Sequence, residues 1–324
     1  MKKIKAPQIG EVTSSDRERR EQSEYAVQIL TYNVWFDYEV ARQIFKEFDI
    51  LYLQACGAHN NPEISSEIRP LSVFLAGEIN TGKTTLVTRY ENVCEALAKE
   101  AGRPYTKYDI LYYTTPVRVT LKQMFAGILE ENFNIEIRGS ALRATHTNTL
   151  IARIIKELQE KKVKLLIIDE IQLLIGASQD DKQDIFEGFK KLTNQSQTRL
   201  ILVGTMDTFE LFQGAEWVEE RFRALVLPSW EEDEEYLKLL KAIYDAYIDF
   251  VPDWDLVLPN GKVNGAIGHF LYEFTGGRLG ALIQTIRFGI VNALQHGRTC
   301  PTEDDYKSVF FVDGEKLKKG KRKQ

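Results

Sequence analysis

The chain has 324 residues, 44% hydrophobic and 27% charged, which is enough apolar material for a large core and excludes a disordered chain. A net charge of −5 and a pI near 5.6 exclude an evenly basic surface, so any binding to nucleic acid needs a local stripe or a surface that oligomerisation repeats. Three scattered cysteines, Cys56, Cys94 and Cys300, are too few for a disulfide framework, and no apolar run is long enough to span a bilayer; a cytoplasmic protein with no membrane partner is expected.

Residues 1–22 are polar and charge-rich and read as a mobile arm. A helical, aromatic-rich segment follows over 23–70, with Trp35, Phe36, Tyr38, Phe45 and Phe48; core packing and docking of a neighbour both explain such aromatics. Its last part, Ala55 to Pro70, reads as a connector broken by Gly57, Asn60, Asn61 and Pro62. Cys56 and His59 have the spacing of a ligand pair, but no second pair follows, so a core thiol and a loop imidazole are expected instead of zinc.

From Leu71 the pattern changes. Leu71 to Ala76 is an apolar run, Gly77-Glu78-Ile79-Asn80-Thr81-Gly82-Lys83-Thr84-Thr85 is a glycine loop, and Thr84 to Ala98 has helical periodicity. Strand, loop and helix in that order make a phosphate cradle, because the glycines let successive N–H groups converge on an anion and the helix N-terminus adds its dipole. Lys83 would reach the β- and γ-phosphates of ATP, and the Thr84 hydroxyl would hold Mg²⁺. Further strands are predicted at Tyr108–Tyr113, Val163–Ile168, Arg199–Val203 and Ala224–Leu227, separated by helical segments. That alternation implies a mostly parallel α/β sheet in a domain over 71–229.

The strand ending at Ile168 runs into Asp169 and Glu170, which places two carboxylates at the sheet edge where ligands bind. Asp169 would hold the metal through water. Glu170 would polarise an attacking water, which favours hydrolysis over transfer to a small molecule; a strand ending in solvated acids is the plainer reading. Thr205, after the strand Leu200 to Val203, would contact the γ-phosphate or the water, or else it or Asp207 would cap the next helix. In Glu220-Arg221-Phe222-Arg223, Arg221 or Arg223 would project into a neighbouring subunit's nucleotide site, unless the two form surface ion pairs.

Beyond Trp230 the strands stop. Tyr236, Leu239, Leu240, Ile243, Tyr244, Tyr247 and Phe250 fall at helical spacing, Val263–Phe274 and Leu279–Leu294 give two more helices, and a last one starts after Pro301 with Thr302 as N-cap. A small all-helical domain over 230–312 results. Within it Gly276-Gly277-Arg278-Leu279-Gly280 opens a helix, where Arg278 would fold over the nucleotide, or the glycines would simply make a turn. The tail over 313–324 is strongly basic and reads either as a solvated end or as a binder of phosphate or acidic partners.

These residues resemble the AAA+ ATPases, and within them the TnsC/TniB-type regulators of DNA transposition. Glu67-Ile68-Arg69-Pro70 leading through Ser72 to Ala76 into the Asn80-containing glycine loop is similar to the TniB pattern. Ile167 to Gln172, Val203-Gly204-Thr205, the Gly276 to Gly280 helix start and Gly297 to Asp304 support it, over roughly residues 60 to 310. The resemblance implies a P-loop AAA+ domain with a central parallel sheet, followed by a helical lid. It further implies ATP and Mg²⁺, a homo-oligomeric ring or filament around double-stranded DNA, and a link between a TniQ- or TnsD-type target selector, or a CRISPR effector, and a TnsB-type transposase. ATP binding would drive assembly on DNA and hydrolysis would drive disassembly.

By position, Thr114 to Lys122 resembles the family's DNA-tracking element, so Arg118 and Lys122 are expected at phosphates, with Arg138, Ser140 and Arg143 next; such contacts position without reading sequence. Gln172 stands where the family often carries His. An AAA+ helicase loader or replication ATPase would share every motif. A nucleotide-gated scaffold or small-molecule kinase would need neither Glu170 nor the arginine pair.

Overall fold

The computed structural model describes residues 24, 27–31, 34–60, 71–117, 120–174, 179–212 and 221–307. The expected N-terminal arm, the Arg69-Pro70 approach, Arg118, Glu220 and the basic tail lie outside them. The chain divides into two units, one of Asp37–Ser229 and one of the residues up to Phe36 together with those from Trp230 onward. The aromatic-rich segment is therefore shared between the two.

The first unit is α/β. Five parallel strands, β1 (Ser72–Ala76), β2 (Ile110–Thr114), β3 (Leu165–Asp169), β4 (Arg199–Gly204) and β5 (Phe222–Val226), lie in the order β2-β3-β4-β1-β5. Every residue of β1, β3 and β4 is buried, as continuous Val, Ile, Leu and Phe runs require in a sheet covered on both faces. In the edge strand β5 only Phe222 is buried. Between the strands come α2 (Lys83–Glu100), α3 (Leu121–Phe133), α4 (Gly139–Ala144), α5 (Thr147–Glu160), α6 (Gln179–Ser196) and α7 (Met206–Phe212). Phe74, Phe125, Ile154, Ile168, Phe189 and Leu202 belong to one core, and each such side chain is worth about 1.5–3 kcal/mol when fully buried.

Ahead of the sheet, α1 (Glu39–Asn60) corrects the reading of Ala55–Pro70 as a connector, because the helix continues through Gly57 to Asn60. Ala41, Ile44, Phe48, Leu51, Ala55 and Ala58 form its buried stripe. The ring of Tyr90 meets Phe45 and Phe48 edge-on at 5.3 and 5.1 Å, Tyr52 donates to Asp109 Oδ2 at 2.8 Å, and His59 Nε2 donates to the Val163 carbonyl at 2.8 Å. Tertiary packing of this kind outweighs the roughly 1 kcal/mol that a helical glycine costs. These aromatics are thus used in the chain's own core.

The second unit is helical: α8 (Glu234–Tyr247), α9 (Gly265–Thr275), α10 (Leu279–Gln295) and the short α11 (Glu303–Lys307). Asp233 caps α8 by accepting from Tyr236 N, and Asn264 caps α9 by accepting from Ala266 N. Tyr236, Leu240, Ile243, Trp254, Leu282, Ile286 and Tyr306 make its core, with Ile29 from the N-terminal residues among them. Thr302 stands just before α11, where its N–H and hydroxyl both donate to Asp305 Oδ2 at 2.8 Å, so its hydroxyl is a donor to the first turn's carboxylate and not the expected capping acceptor. Among the described residues no helix is long and apolar enough to cross a membrane.

Candidate active site

Sheet order and register bring separate parts of the sequence to one edge. After β1 the chain crosses to β2 at the far edge, returns through β3 and β4, and places β5 on the other side of β1, so the order reverses beside β1. Ala76 pairs with Gly204, Ile168 with Leu202, and Thr114 with Asp169. The glycine loop after β1, the acids ending β3 and Thr205 after β4 therefore emerge together at the C-terminal edge.

The loop turns through two left-handed residues, Asn80 at φ 66° and Gly82 at φ 98°. Gly82 precedes the 18-residue α2 without any side-chain cap, so the first-turn N–H groups have no side-chain acceptor there, which suits an anion. Thr81 is buried and its hydroxyl donates to the Glu78 carbonyl at 2.9 Å. Lys83 Nζ lies inside the loop, donating to the carbonyls of Gly77 at 2.9 Å and Glu78 at 2.6 Å. Partial burial lowers its pKa, opposed by the carboxylates of Asp169, Glu170 and Glu78.

Across β4, Thr84 Oγ1 donates to Asp169 Oδ2 at 2.6 Å. The phenol of Tyr112 donates to that same oxygen at 2.6 Å, and Glu170 N donates to Oδ1 at 2.7 Å. Burial and then the Asp169 carboxylate push the Tyr112 phenol far above its usual range, so at neutral pH it is a proton donor. A buried carboxylate and a hydroxyl held together in this way are the hard oxygen set that Mg²⁺ prefers.

Glu170 is itself left-handed at φ 58°, a conformation that costs a non-glycine residue about 1–2 kcal/mol and that tends to persist at functional sites. Gln172 Nε2 donates to Glu170 Oε2, while Gln172 Oε1 is buried with no hydrogen-bond partner among the described residues. The turn carrying both lies over the end of β4, and Gly204 makes room for it: a Cβ there would come within 2.7 Å of Ile171 Cγ2 and 3.4 Å of Gln172 Oε1. Thr205 shares this edge, but its hydroxyl bonds the Thr208 hydroxyl at 2.8 Å and its carbonyl accepts from Phe209 N, which is the helix-start role.

The other expected residues fall elsewhere. Arg221 and Arg223 flank the buried Phe222 at the start of β5, hence at the opposite edge from the loop; the strand between them spans about 13 Å. Arg221 donates to Asn194 Oδ1 and Arg223 pairs with Glu47. Arg278, in the helical unit, precedes α10 and its Nε donates to the Thr275 carbonyl at 2.9 Å. Lys122 Nζ donates to the Arg143 carbonyl at 2.9 Å, which joins two of the expected phosphate contacts, and Ser140 and Arg143 are exposed on α4. Arg138 pairs with Glu130 and, at 3.2 Å, with Glu136. Tyr112 was not singled out from the sequence; its only signal is its position two residues before Thr114, the partner of Asp169 in register.

A family model described as Bacterial TniB protein matches residues 26–232. No curated protein matches the sequence. Among solved structures, the chain is similar to the Aeropyrum pernix ORC1 protein in complex with DNA (TM-score 0.60, 14% identity, 87% of this chain and 68% of that one). It is also similar to the Aeropyrum pernix ORC2 protein in its ADPNP-ADP complexes (0.55, 16%, 90% and 74%) and to Drosophila ORC bound to DNA (0.58, 14%, 98% and 72%). At such identities the likeness shows the fold.

Proposed function

The chain belongs to the TniB family and is an ATPase of the P-loop AAA+ fold with a helical C-terminal region, and from that premise we propose that it is an ATP-dependent, DNA-binding, oligomeric regulator linking target-site selection to a transposase. The observation that supports this reading most is the meeting of the glycine loop, in which Lys83 is held by the Gly77 and Glu78 carbonyls, with the acids that end β3, where Thr84 donates to Asp169. Residues Gly77 to Thr85 enclose the phosphates of ATP with backbone N–H groups, and Lys83 exchanges its loop carbonyls for phosphate oxygens. Thr84 and, through water, Asp169 would hold Mg²⁺, which would supply charge neutralisation at the phosphates. Glu170 orients the attacking water, and Thr205, just after the neighbouring strand β4, contacts the water or the γ-phosphate.

Arg221 and Arg223, far from their own loop, are suited to act on the nucleotide of a neighbouring subunit, so turnover requires assembly. Lys122, Arg138, Ser140 and Arg143, with Arg118, contact DNA phosphates, and repetition around the assembly sums their fields despite the acidic chain. ATP binding drives assembly on double-stranded DNA and hydrolysis reverses it. The partners are a TnsB-type transposase and a TniQ- or TnsD-type selector, including one within a CRISPR effector complex. Lys83→Ala tests the core of this proposal: ATP affinity should fall by at least about thirtyfold, roughly 2 kcal/mol, and sedimentation should show no ATP-dependent assembly on DNA. Normal assembly by that variant removes the proposal.

A further inference from the structure

Asp169 is a buried carboxylate that three donors from three parts of the chain hold in place. Thr84 of α2 and Tyr112 of β2 both donate to Oδ2 at 2.6 Å, and Glu170 N donates to Oδ1. Register explains the reach of Tyr112. Thr114 pairs with Asp169, and Tyr112 lies two residues back on the same face, which makes it the diagonal neighbour of Asp169 and close enough for a long side chain. Tyr113 faces the other way, with its hydroxyl against Gly127, where a Cβ would come within 2.5 Å. The half-buried Tyr112 belongs to no motif of a phosphate cradle, yet it is bonded to the acid that would hold the metal.

The bond from Thr84 also sets where the threonine can act. By giving its proton to Oδ2, the hydroxyl turns its lone pairs away from Asp169. A carboxylate free to rock would release that orientation, whereas one fixed by a second donor keeps it.

We propose that Tyr112 is a positioning residue for the divalent cation that accompanies the nucleotide, fixing Asp169 Oδ2 and, through it, the Thr84 hydroxyl. The inference rests on the ATPase reading above. Tyr112 acts through Asp169, so its loss should weaken the cation-dependent part of nucleotide binding and leave the cation-independent part alone.

The test is binding of a fluorescent ATP analogue to the full chain, titrated with Mg²⁺ and measured separately in EDTA, for wild type, Tyr112→Phe and Tyr113→Phe. Phenylalanine keeps the ring and removes only the hydroxyl. The expected result is a half-saturating Mg²⁺ concentration raised about tenfold in Tyr112→Phe, with equal affinity in EDTA and an unchanged Mg²⁺ response in Tyr113→Phe. An unchanged or tighter Mg²⁺ response in Tyr112→Phe overturns the inference, as does an equal loss with and without Mg²⁺, which marks damage to the loop. If the wild type binds no nucleotide, the ATPase reading falls and takes the inference with it.

Discussion

Glu170 combines two features that only make sense together: a left-handed backbone, and a side chain held by the amide of Gln172, two residues on. The Gln172 hydrogen bond fixes the direction of the carboxylate. A glutamate that is positioned in this way for water should be separable from nucleotide binding. Glu170→Gln should bind ATP within about twofold of wild type while its turnover drops about a hundredfold or more, the usual scale of general-base loss. Steady-state phosphate release beside equilibrium binding checks it, and retained hydrolysis would move the base to another residue.

Among the elements, the join of Gly276 and Gly277 between α9 and α10 shows what a short sequence signal can and cannot say. Both glycines are left-handed, at φ 62° and 63°, and the Trp230 N–H donates to the Gly277 carbonyl at 2.8 Å. A Cβ on Gly277 would come within 2.1 Å of the Trp230 carbonyl oxygen. Gly277→Ala should therefore destabilise the helical unit by about 2 kcal/mol or more through strain and overlap together. Urea unfolding followed by tryptophan fluorescence measures this, and a change under about 0.5 kcal/mol would show that the turn relaxes freely.

The turn was one of two readings open for those glycines in the sequence, and the five strands were legible to within two residues, β1, β3 and β4 as wholly buried apolar runs. The sequence misplaced the end of α1, where burial of Ala55 and Ala58 and the hydrogen bond from His59 to the distant Val163 carbonyl outweigh the breaker Gly57. Tyr112 to Asp169, Arg221 to Asn194 and Arg223 to Glu47 were not legible for the same reason: their partners are 57, 27 and 176 residues away, and nothing local marks them.

For the whole molecule, the proposed assembly makes a demand on the two arginines of β5. Arg221 and Arg223 stand at the sheet edge opposite the chain's own loop, so any effect they have on hydrolysis should need a second copy. Specific ATPase activity of the wild type should rise with protein concentration. Arg221→Ala and Arg223→Ala should reveal which arginine acts in trans: that variant should lose about a thousandfold in turnover while keeping ATP affinity, and the other should lose little beyond its pairing with Asn194 or Glu47. Activity independent of concentration would assign both arginines a structural role. Electron microscopy with duplex DNA tests whether ATP assembles this chain on DNA. With ATP or a slowly hydrolysed analogue, at low and moderate salt, rings or helical filaments around DNA that vanish without nucleotide are expected; monomers under every condition would contradict ATP-driven assembly.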